Sequence, residues 1–356
     1  MNNLRTISTR RLLVTLSAVC AACLATAAVA LAAVGSGPVP ASGVTLAQAL
    51  NGSLQGGGVS GVTAQISFTN NLFSGASFQT PDPLLTGASG RLWATQGHLR
   101  LELQGSNGDS QIVVDGSSVW AYDPASNTVY EGTLPSQPSA GGVSDTGTVP
   151  SVSTIQAALT KASQNVSLSN PRATDIGGQP AYVETITPKS SAGLIGALRI
   201  GFDANHAVPL EFALIPRGQT AAALALEATS ISYGPVPASV FQIAPPAGAH
   251  VVTLSFPTPA TNPAPDGSAT GGSVKVVGSG LGSVIVAQHA GTTGSTSAGS
   301  GALGSLPLQT VSINGAAGKQ LPTSLGTVLE FTRNGVSYLL AGSVSASTID
   351  SIARGL

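Results

Sequence analysis

The sequence predicts a mainly β fold with some helix: a strongly curved antiparallel sheet forming an incomplete β-barrel, helices over its concave face, and a small α+β unit after it. Between residues 87 and 134, short apolar-polar alternations are interrupted by Gly, Asn and Asp turn signals, as in an antiparallel meander. Such a ribbon is too thin to bury its own apolar face. Further one-sided strands and a few amphipathic helical stretches flank it, and these can supply the cover.

The composition limits the possible classes of function. The chain has 356 residues, of which 42% are hydrophobic, which is enough for two domains with a sizeable core. Only 8% of the residues are charged and the net charge is −1, so the basic face that nucleic-acid binding needs is not expected. We therefore predict no nucleic-acid partner.

The N-terminal segment predicts export. Arg5, Arg10 and Arg11 precede an uncharged apolar run from residue 12 to 34, which is the order of a basic n-region and an apolar h-region. Small residues near the end of the run suit cleavage, but the run is also about long enough to span a bilayer. Residues 1–34 are thus either a signal peptide or an anchor to the cytoplasmic membrane. Either way, the chain is expected to be extracytoplasmic, secreted or held at the outer face of that membrane.

A first domain is predicted from residue 44 to 256, after a Gly/Pro linker at residues 35–43. Leu46, Leu50 and Leu54 recur at helical spacing and are followed by a run of glycines, which predicts a short helix. Apolar and polar residues then alternate from residue 62 to 69, which predicts a strand with one apolar face.

The meander and a second group of strands complete this domain. Within the meander, Leu99, Leu101 and Leu103 point to one face, and turn pairs such as Asp115-Gly116 separate the strands. A helix is predicted near residues 152–162 from its apolar spacing. The predicted strands are residues 91–95, 98–104, 111–115, 119–122 and 128–131 in the meander, and 181–187, 198–203, 210–215 and 222–233 after the helix.

A small C-terminal α+β domain is predicted for residues 273–356. Residues 257–272 before it have the Pro/Gly-rich composition of a linker. Asn334-Gly335 is a strong hairpin signal, and Ser347 with Asp350 resembles the capping box of a final helix.

No group of residues predicts catalysis. The histidines lie in separate segments and no pair has metal-ligand spacing. Three aspartates in the meander each fall in a turn, where the side chain bonds the backbone. We therefore expect no enzyme, no catalytic or metal-binding residue and no cofactor. The side chains considered are His98, His206, His250 and His289, and Asp109, Asp115 and Asp123.

An apolar concavity is the remaining candidate for a binding site. If helices fill the curved sheet incompletely, they leave a hydrophobic cavity for an acyl chain; if they fill it, the same residues are only a core. A register error of one residue would turn every predicted lining residue to the other face. The lining residues predicted from strand alternation are Val62, Ala64, Ile66, Phe68, Leu99, Leu101, Leu103, Ile112 and Leu210.

The meander resembles a known family. Four segments carry the resemblance: Gly90-Arg91-Leu92-Trp93, Leu99-Arg100-Leu101-Glu102, the stretch Val114 to Pro124 with its Asp-Gly-x-x-x-Trp-x-Tyr-Asp-Pro pattern, and the closing stretch Phe241 to Val251. They resemble the LolA family of outer-membrane lipoprotein carriers and the related RseB/MucB regulators. The resemblance covers about residues 44–256.

The resemblance implies a half-barrel lidded by helices, with an apolar cavity for lipoprotein acyl chains. In the carrier, a functional arginine lies three residues after the Leu-Trp pair, where this chain has Gln96. The prediction is therefore a non-catalytic, extracytoplasmic protein that binds a lipid or lipoprotein acyl chain. The alternative is an RseB-like regulatory sensor whose partner is a membrane anti-sigma factor. A scaffold whose sheet is completely filled is the third possibility.

Overall fold

A computed structural model describes residues 39–55, 58–73, 82–133, 151–206, 208–254, 273–290 and 308–356. The predicted leader and the predicted linker at residues 257–272 lie outside these ranges, as do residues 134–150. Among the described residues, no helix is both long and apolar enough to cross a membrane.

The larger sheet has thirteen strands within the described ranges. They are β1 (Val62–Asn70), β2 (Ala88–Thr95), β3 (His98–Leu103), β4 (Ser110–Asp115), β5 (Ser118–Asp123), β6 (Thr128–Thr133), β7 (Val166–Leu168), β8 (Arg172–Ile176), β9 (Gln179–Pro188), β10 (Ile195–Asp203), β11 (Pro209–Pro216), β12 (Leu224–Tyr233) and β13 (His250–Leu254). Their spatial order is β13-β6-β5-β4-β3-β2-β1-β12-β11-β10-β9-β7, and β8 pairs with β9. The predicted meander is present as β2 to β6.

The sheet is strongly curved but open. All its neighbouring strands are antiparallel except β13 and β6, which are parallel. The register shifts between Gln65 and Ile66, and again between Gly201 and Phe202, and such bulges bend a sheet. As a result, the Ile231 N–H of β12 donates to the carbonyl of Gly177, 3.2 Å away in the turn between β8 and β9. In the order of the sheet, two strands separate β12 from β9. The predicted fold class, an incomplete barrel, is confirmed.

Helices cover part of this sheet. They are α1 (Leu46–Gln55), α2 (Pro83–Thr86) and α3 (Val152–Ala162). At the start of α1, the Thr45 hydroxyl accepts from the Gln48 N–H (3.3 Å) and the Gln48 side chain accepts from the Thr45 N–H (2.9 Å), a reciprocal cap. Ala49 of α1 packs on Tyr182 and Phe202, and α1 also packs against α3.

The smaller sheet belongs to the C-terminal part of the chain. Its strands are β14 (Ser273–Val277), β15 (Val284–Ala290), β16 (Gln309–Ile313), β17 (Ala316–Pro322), β18 (Thr327–Arg333) and β19 (Val336–Gly342), in the order β14-β15-β19-β18-β17-β16. A final helix, α4 (Ala346–Arg354), packs on it through Ile349 and Ala353. Asn334 and Gly335 both have positive φ, which is the geometry of the predicted hairpin turn.

One local prediction is wrong. The N-cap of α4 is Ser345, whose hydroxyl accepts from the Thr348 N–H at 3.3 Å, and not Ser347. Serines at both positions fit the residue preference of a cap, so the sequence alone did not distinguish them.

The two sheets are in contact. The Leu194 N–H donates to the carbonyl of Ser343 (2.8 Å), and the Ser324 N–H donates to the carbonyl of Leu72 (3.2 Å). Leu85 of α2 is buried together with Leu321 of β17. The larger and smaller sheets therefore share a packed boundary.

Candidate functional site: an apolar strip across the larger sheet

The predicted lining residues lie together in one cluster. All of them are buried in the main core of the larger sheet except Phe68, which is half-buried and packs against it. Cross-strand register explains this, because Ala64, Leu92, Leu101 and Ile112 stand directly opposite one another on successive strands. Leu103 is only 1% exposed and Ile66 only 3%, so most of this set is tightly packed core in the present conformation.

The same sheet carries a second apolar feature, which is half-buried. Register places Phe68, Leu226, Phe212 and Ile200 opposite one another on β1, β12, β11 and β10. Opposed residues point to the same face, and Phe68 and Leu226 also touch the main core. The four side chains therefore form an apolar row across the strands, continuous with the core but only partly covered.

A neighbouring row widens this surface. Leu224, Leu214, Leu198 and Ile186 are opposed in the same way on β12, β11, β10 and β9; Leu224 is buried and the other three are half-buried. Along its own strand, each of these residues lies two positions from a residue of the first row, and Ile186 lies two positions from Glu184. Residues two positions apart in a strand point to the same face, so the two rows share one face of the sheet. The two rows together, Phe68, Leu226, Phe212 and Ile200 with Leu224, Leu214, Leu198 and Ile186, are called the apolar strip below.

A buried carboxylate ends the strip. Glu184 of β9 stands opposite Ile200 and is 3% exposed. Within the described residues, neither of its side-chain oxygens has a partner at good hydrogen-bond geometry, although the hydroxyl and N–H of Ser169 lie near enough to act on it as donors. Burial raises the pKa of Glu184 to about 7, against the opposing effect of the Ser169 hydroxyl and N–H. Tyr182, two residues away on the same face, is the residue on which α1 packs.

The opposite face of the meander carries the aromatic residues of the family pattern. The guanidinium groups of Arg91 and Arg100 each lie 5.2 Å from the ring centroid of Trp93. Both also bond Glu102, which is 4% exposed. The one carboxylate balances one of the two positive charges, and the stacking of both guanidinium groups on the ring stabilises the meander. Gln96 is exposed in the turn between β2 and β3.

Of the polar residues considered in the sequence, the structure brings His98 and Asp115 together: they stand opposite each other on β3 and β4, with His98 Nδ1 2.8 Å from Asp115 Oδ1. In the part of the chain that the structure describes, no group of three or more His, Cys, Asp and Glu side chains is arranged to hold a metal ion. His206 stacks edge-on against Tyr233, whose hydroxyl donates to Asp203 (2.6 Å). These contacts fix the end of β10 to β12.

Most of the strip was not identified from the sequence. Only Phe68 was among the predicted lining residues. Phe212, Leu226 and Ile200 show the same alternation as Leu210, so the signal was present. Which alternating residues remain half-exposed depends on the register and on where the helices pack, and neither can be inferred from one strand at a time.

Comparison with known proteins gives weak likenesses. No protein-family model matches the chain, and no curated protein matches it. Among solved structures it is similar to the MucA/MucB complex of Pseudomonas aeruginosa, with 14% identity, 86% of this chain and 94% of that chain covered, and a TM-score of 0.40. It is also similar to an uncharacterized conserved protein of Thermus thermophilus, with 10% identity, 58% of this chain and 97% of that chain covered, and a TM-score of 0.36.

A third similar structure is a LolA superfamily protein of Nitrosomonas europaea, with 9% identity, 84% of this chain and 91% of that chain covered, and a TM-score of 0.19. These matches include both groups that the meander motif resembles. At such identities and TM-scores, the likenesses identify neither a ligand nor a partner for this chain.

Proposed function

We propose that this protein is a non-catalytic, extracytoplasmic binding protein that holds the acyl chain of a lipid or lipoprotein along the apolar strip. The observation that carries the proposal is the strip itself: apolar side chains from neighbouring strands, opposed in register and mostly half-buried. A contiguous, partly exposed apolar surface of this kind is typical of a binding site. Ligand binding is assigned to residues 44–256, and the N-terminal segment would direct the protein to the outside of the cytoplasmic membrane.

The dimensions of the strip suit an acyl chain. From Phe68 to Glu184 the first row crosses four strand spacings, which at about 4.8 Å each is roughly 19 Å. A bilayer core two acyl chains thick is about 30 Å, so one chain is of comparable length. Each methylene removed from water contributes about 0.8 kcal/mol before the costs of association, so covering most of a chain suffices for measurable binding.

The proposal concerns binding and not transfer between membranes. In the family that the meander resembles, the arginine after the Leu-Trp pair is functional, and Gln96 replaces it here. Gln96 lies exposed in a two-residue turn and carries no charge. A shuttle that depends on that arginine is therefore not part of the proposed function.

We expect the purified protein to carry or take up one single-chain lipid. Native mass spectrometry of the protein, with organic extraction and analysis of anything bound, would measure this. The expected result is a mass increment equal to one acyl lipid, which disappears after extraction and returns on adding a monoacylglycerol, whose head group is neutral. A protein that remains free of lipid at micromolar monoacylglycerol would contradict the proposal.

A second candidate function, a regulator that binds a membrane protein, is favoured by a different surface. Val274, Val276 and Ile285 are 72%, 59% and 51% exposed on the smaller sheet. Val276 stands opposite Ile285, so the three side chains share one face. In this function residues 273–356 would supply the partner contact. Recovery of a membrane protein that no longer binds when Val276 is replaced by Asp would support it.

A further inference from the structure

Within the part of the chain that the structure describes, Glu184 differs from the other buried glutamates of the larger sheet in having no arginine beside its carboxylate. Glu102 is 4% exposed and pairs with two arginines. Glu211 is 7% exposed and pairs with Arg199. Glu184 is 3% exposed and has no ion-pair partner within the described residues, since the donors near its oxygens are the uncharged hydroxyl and N–H of Ser169. An ionised carboxylate in such surroundings is unfavourable unless a cation reaches it.

No side chain of the neighbouring elements supplies that cation. Tyr182 is the nearest titratable residue on the same face of β9. The facing strand β10 presents Leu198, Ile200 and Phe202 there, and α1 contains no Asp, Glu, Lys, Arg or His. Burial dominates the raised pKa of Glu184, and the groups that act against it, the Ser169 hydroxyl and N–H, carry no charge.

The basic residues of the neighbouring segments are directed elsewhere. Arg199 of β10 stands opposite Thr185, and so points to the other face of the sheet from Glu184. Arg172 of β8 stands opposite Val183, and so points to the other face of the sheet from Glu184. Lys161 of α3 is exposed to solvent. Lys189, just past the end of β9, donates to the carbonyl of Ser163.

We propose that Glu184 recognises the head group of the bound amphiphile, and that the apolar strip therefore selects an alkyl chain that ends in a primary ammonium. This inference deepens the proposed function and rests on it, since it assumes that the strip binds an alkyl chain. The geometry supports it because Glu184 ends the row of apolar side chains on one face, so a chain lying on Phe212 and Ile200 directs its head toward the carboxylate. An ammonium offers three hydrogen-bond donors and the missing positive charge.

Ammonium binding must be linked to pH. The free protein holds Glu184 with a pKa of about 7. A bound ammonium stabilises the ionised carboxylate and lowers that pKa, so binding below pH 7 requires loss of a proton. The affinity for the ammonium should consequently fall as the pH drops below about 7, by up to tenfold per pH unit, and should level off above it. A neutral head group would show no such slope.

The test compares dodecylammonium with dodecanol, which has the same chain and a neutral head. Binding of each to the full-length protein would be measured by isothermal titration calorimetry between pH 5.5 and 8.5. At pH 8 we expect the ammonium to bind more than tenfold more tightly than the alcohol. This preference should shrink at pH 6 and be lost in Glu184→Gln, which should bind dodecanol as the original protein does. Glu227→Gln, at an exposed glutamate on β12, is the matched control and should keep the preference.

The possible outcomes separate the two proposals. Equal binding of both amphiphiles by the original protein, or a preference that persists in Glu184→Gln, would overturn the role of Glu184 and leave acyl-chain binding intact. Failure of both amphiphiles to bind would contradict the proposed function itself. The pH dependence of the original protein is a readout that needs no variant, so the inference stays testable if Glu184→Gln folds poorly.

Discussion

Replacing Leu226 with aspartate is expected to weaken acyl-chain binding at least about 100-fold. Leu226 is half-buried in the middle of the apolar strip, between Phe68 and Phe212. A bound chain would have to cover the new carboxylate, and burying an unpaired charge costs several kcal/mol, whereas 100-fold corresponds to about 2.7 kcal/mol. Displacement of a fluorescent monoacylglycerol, which carries no charge, would measure the affinity, and circular dichroism would verify the fold.

The matched control for this variant lies on the same strand. Ser230 of β12 is exposed and stands opposite Gln65, so Ser230→Asp adds the same charge outside the strip. We expect its affinity for the monoacylglycerol to stay within about twofold of the original, since a surface charge is largely screened. Equal losses in the two variants would show that charge in general, and not the strip, governs binding.

Replacing Asp203 with alanine is expected to lower the free energy of unfolding by about 4 kcal/mol, because it leaves buried donors without an acceptor. Asp203 is fully buried, and one oxygen accepts from the N–H groups of Asn205 (2.6 Å) and His206 (2.9 Å). The other oxygen accepts from the Tyr233 hydroxyl (2.6 Å), which ties β10 to β12. Burial raises the pKa of Tyr233 and Asp203 adds to the shift, so this hydroxyl stays a donor.

Urea denaturation would measure this loss, and Tyr233→Phe supplies the graded comparison. That variant removes only the side-chain bond to Asp203 and leaves both backbone donors satisfied, so we expect a loss of about 2 kcal/mol. If Asp203→Ala were no more destabilising than Tyr233→Phe, the backbone bonds to Asp203 would contribute nothing to the stability of the sheet.

The strands themselves could be predicted because alternation is a local property. Leu99, Leu101 and Leu103 alternate with polar residues, and the structure buries all three in one cluster. Strands whose partners are distant in sequence were harder to predict. The last strand of the larger sheet, β13, pairs in parallel with β6, more than a hundred residues earlier, and its residues His250–Leu254 show no turn signal that indicates this pairing.

The candidate site was less accessible to sequence analysis than the fold. Glu184 lies in an alternating strand where a glutamate ordinarily points to solvent, so nothing local distinguished it from an exposed residue. Its burial follows from the way β9 is covered in the folded protein. The apolar strip likewise exists only because bulges near Gln65 and Gly201 set the register of its strands.

Photo-crosslinking with a monoacylglycerol whose acyl chain carries a photoactivatable group near its terminal methyl would test acyl-chain binding by the strip most directly. The labelled peptides, identified by mass spectrometry, should contain Phe68, Phe212 or Leu226, and excess unlabelled monoacylglycerol should abolish the labelling. Labelling confined to the exposed patch at Val274, Val276 and Ile285, or labelling that the unlabelled lipid does not compete away, would contradict the assignment of the strip as the binding site.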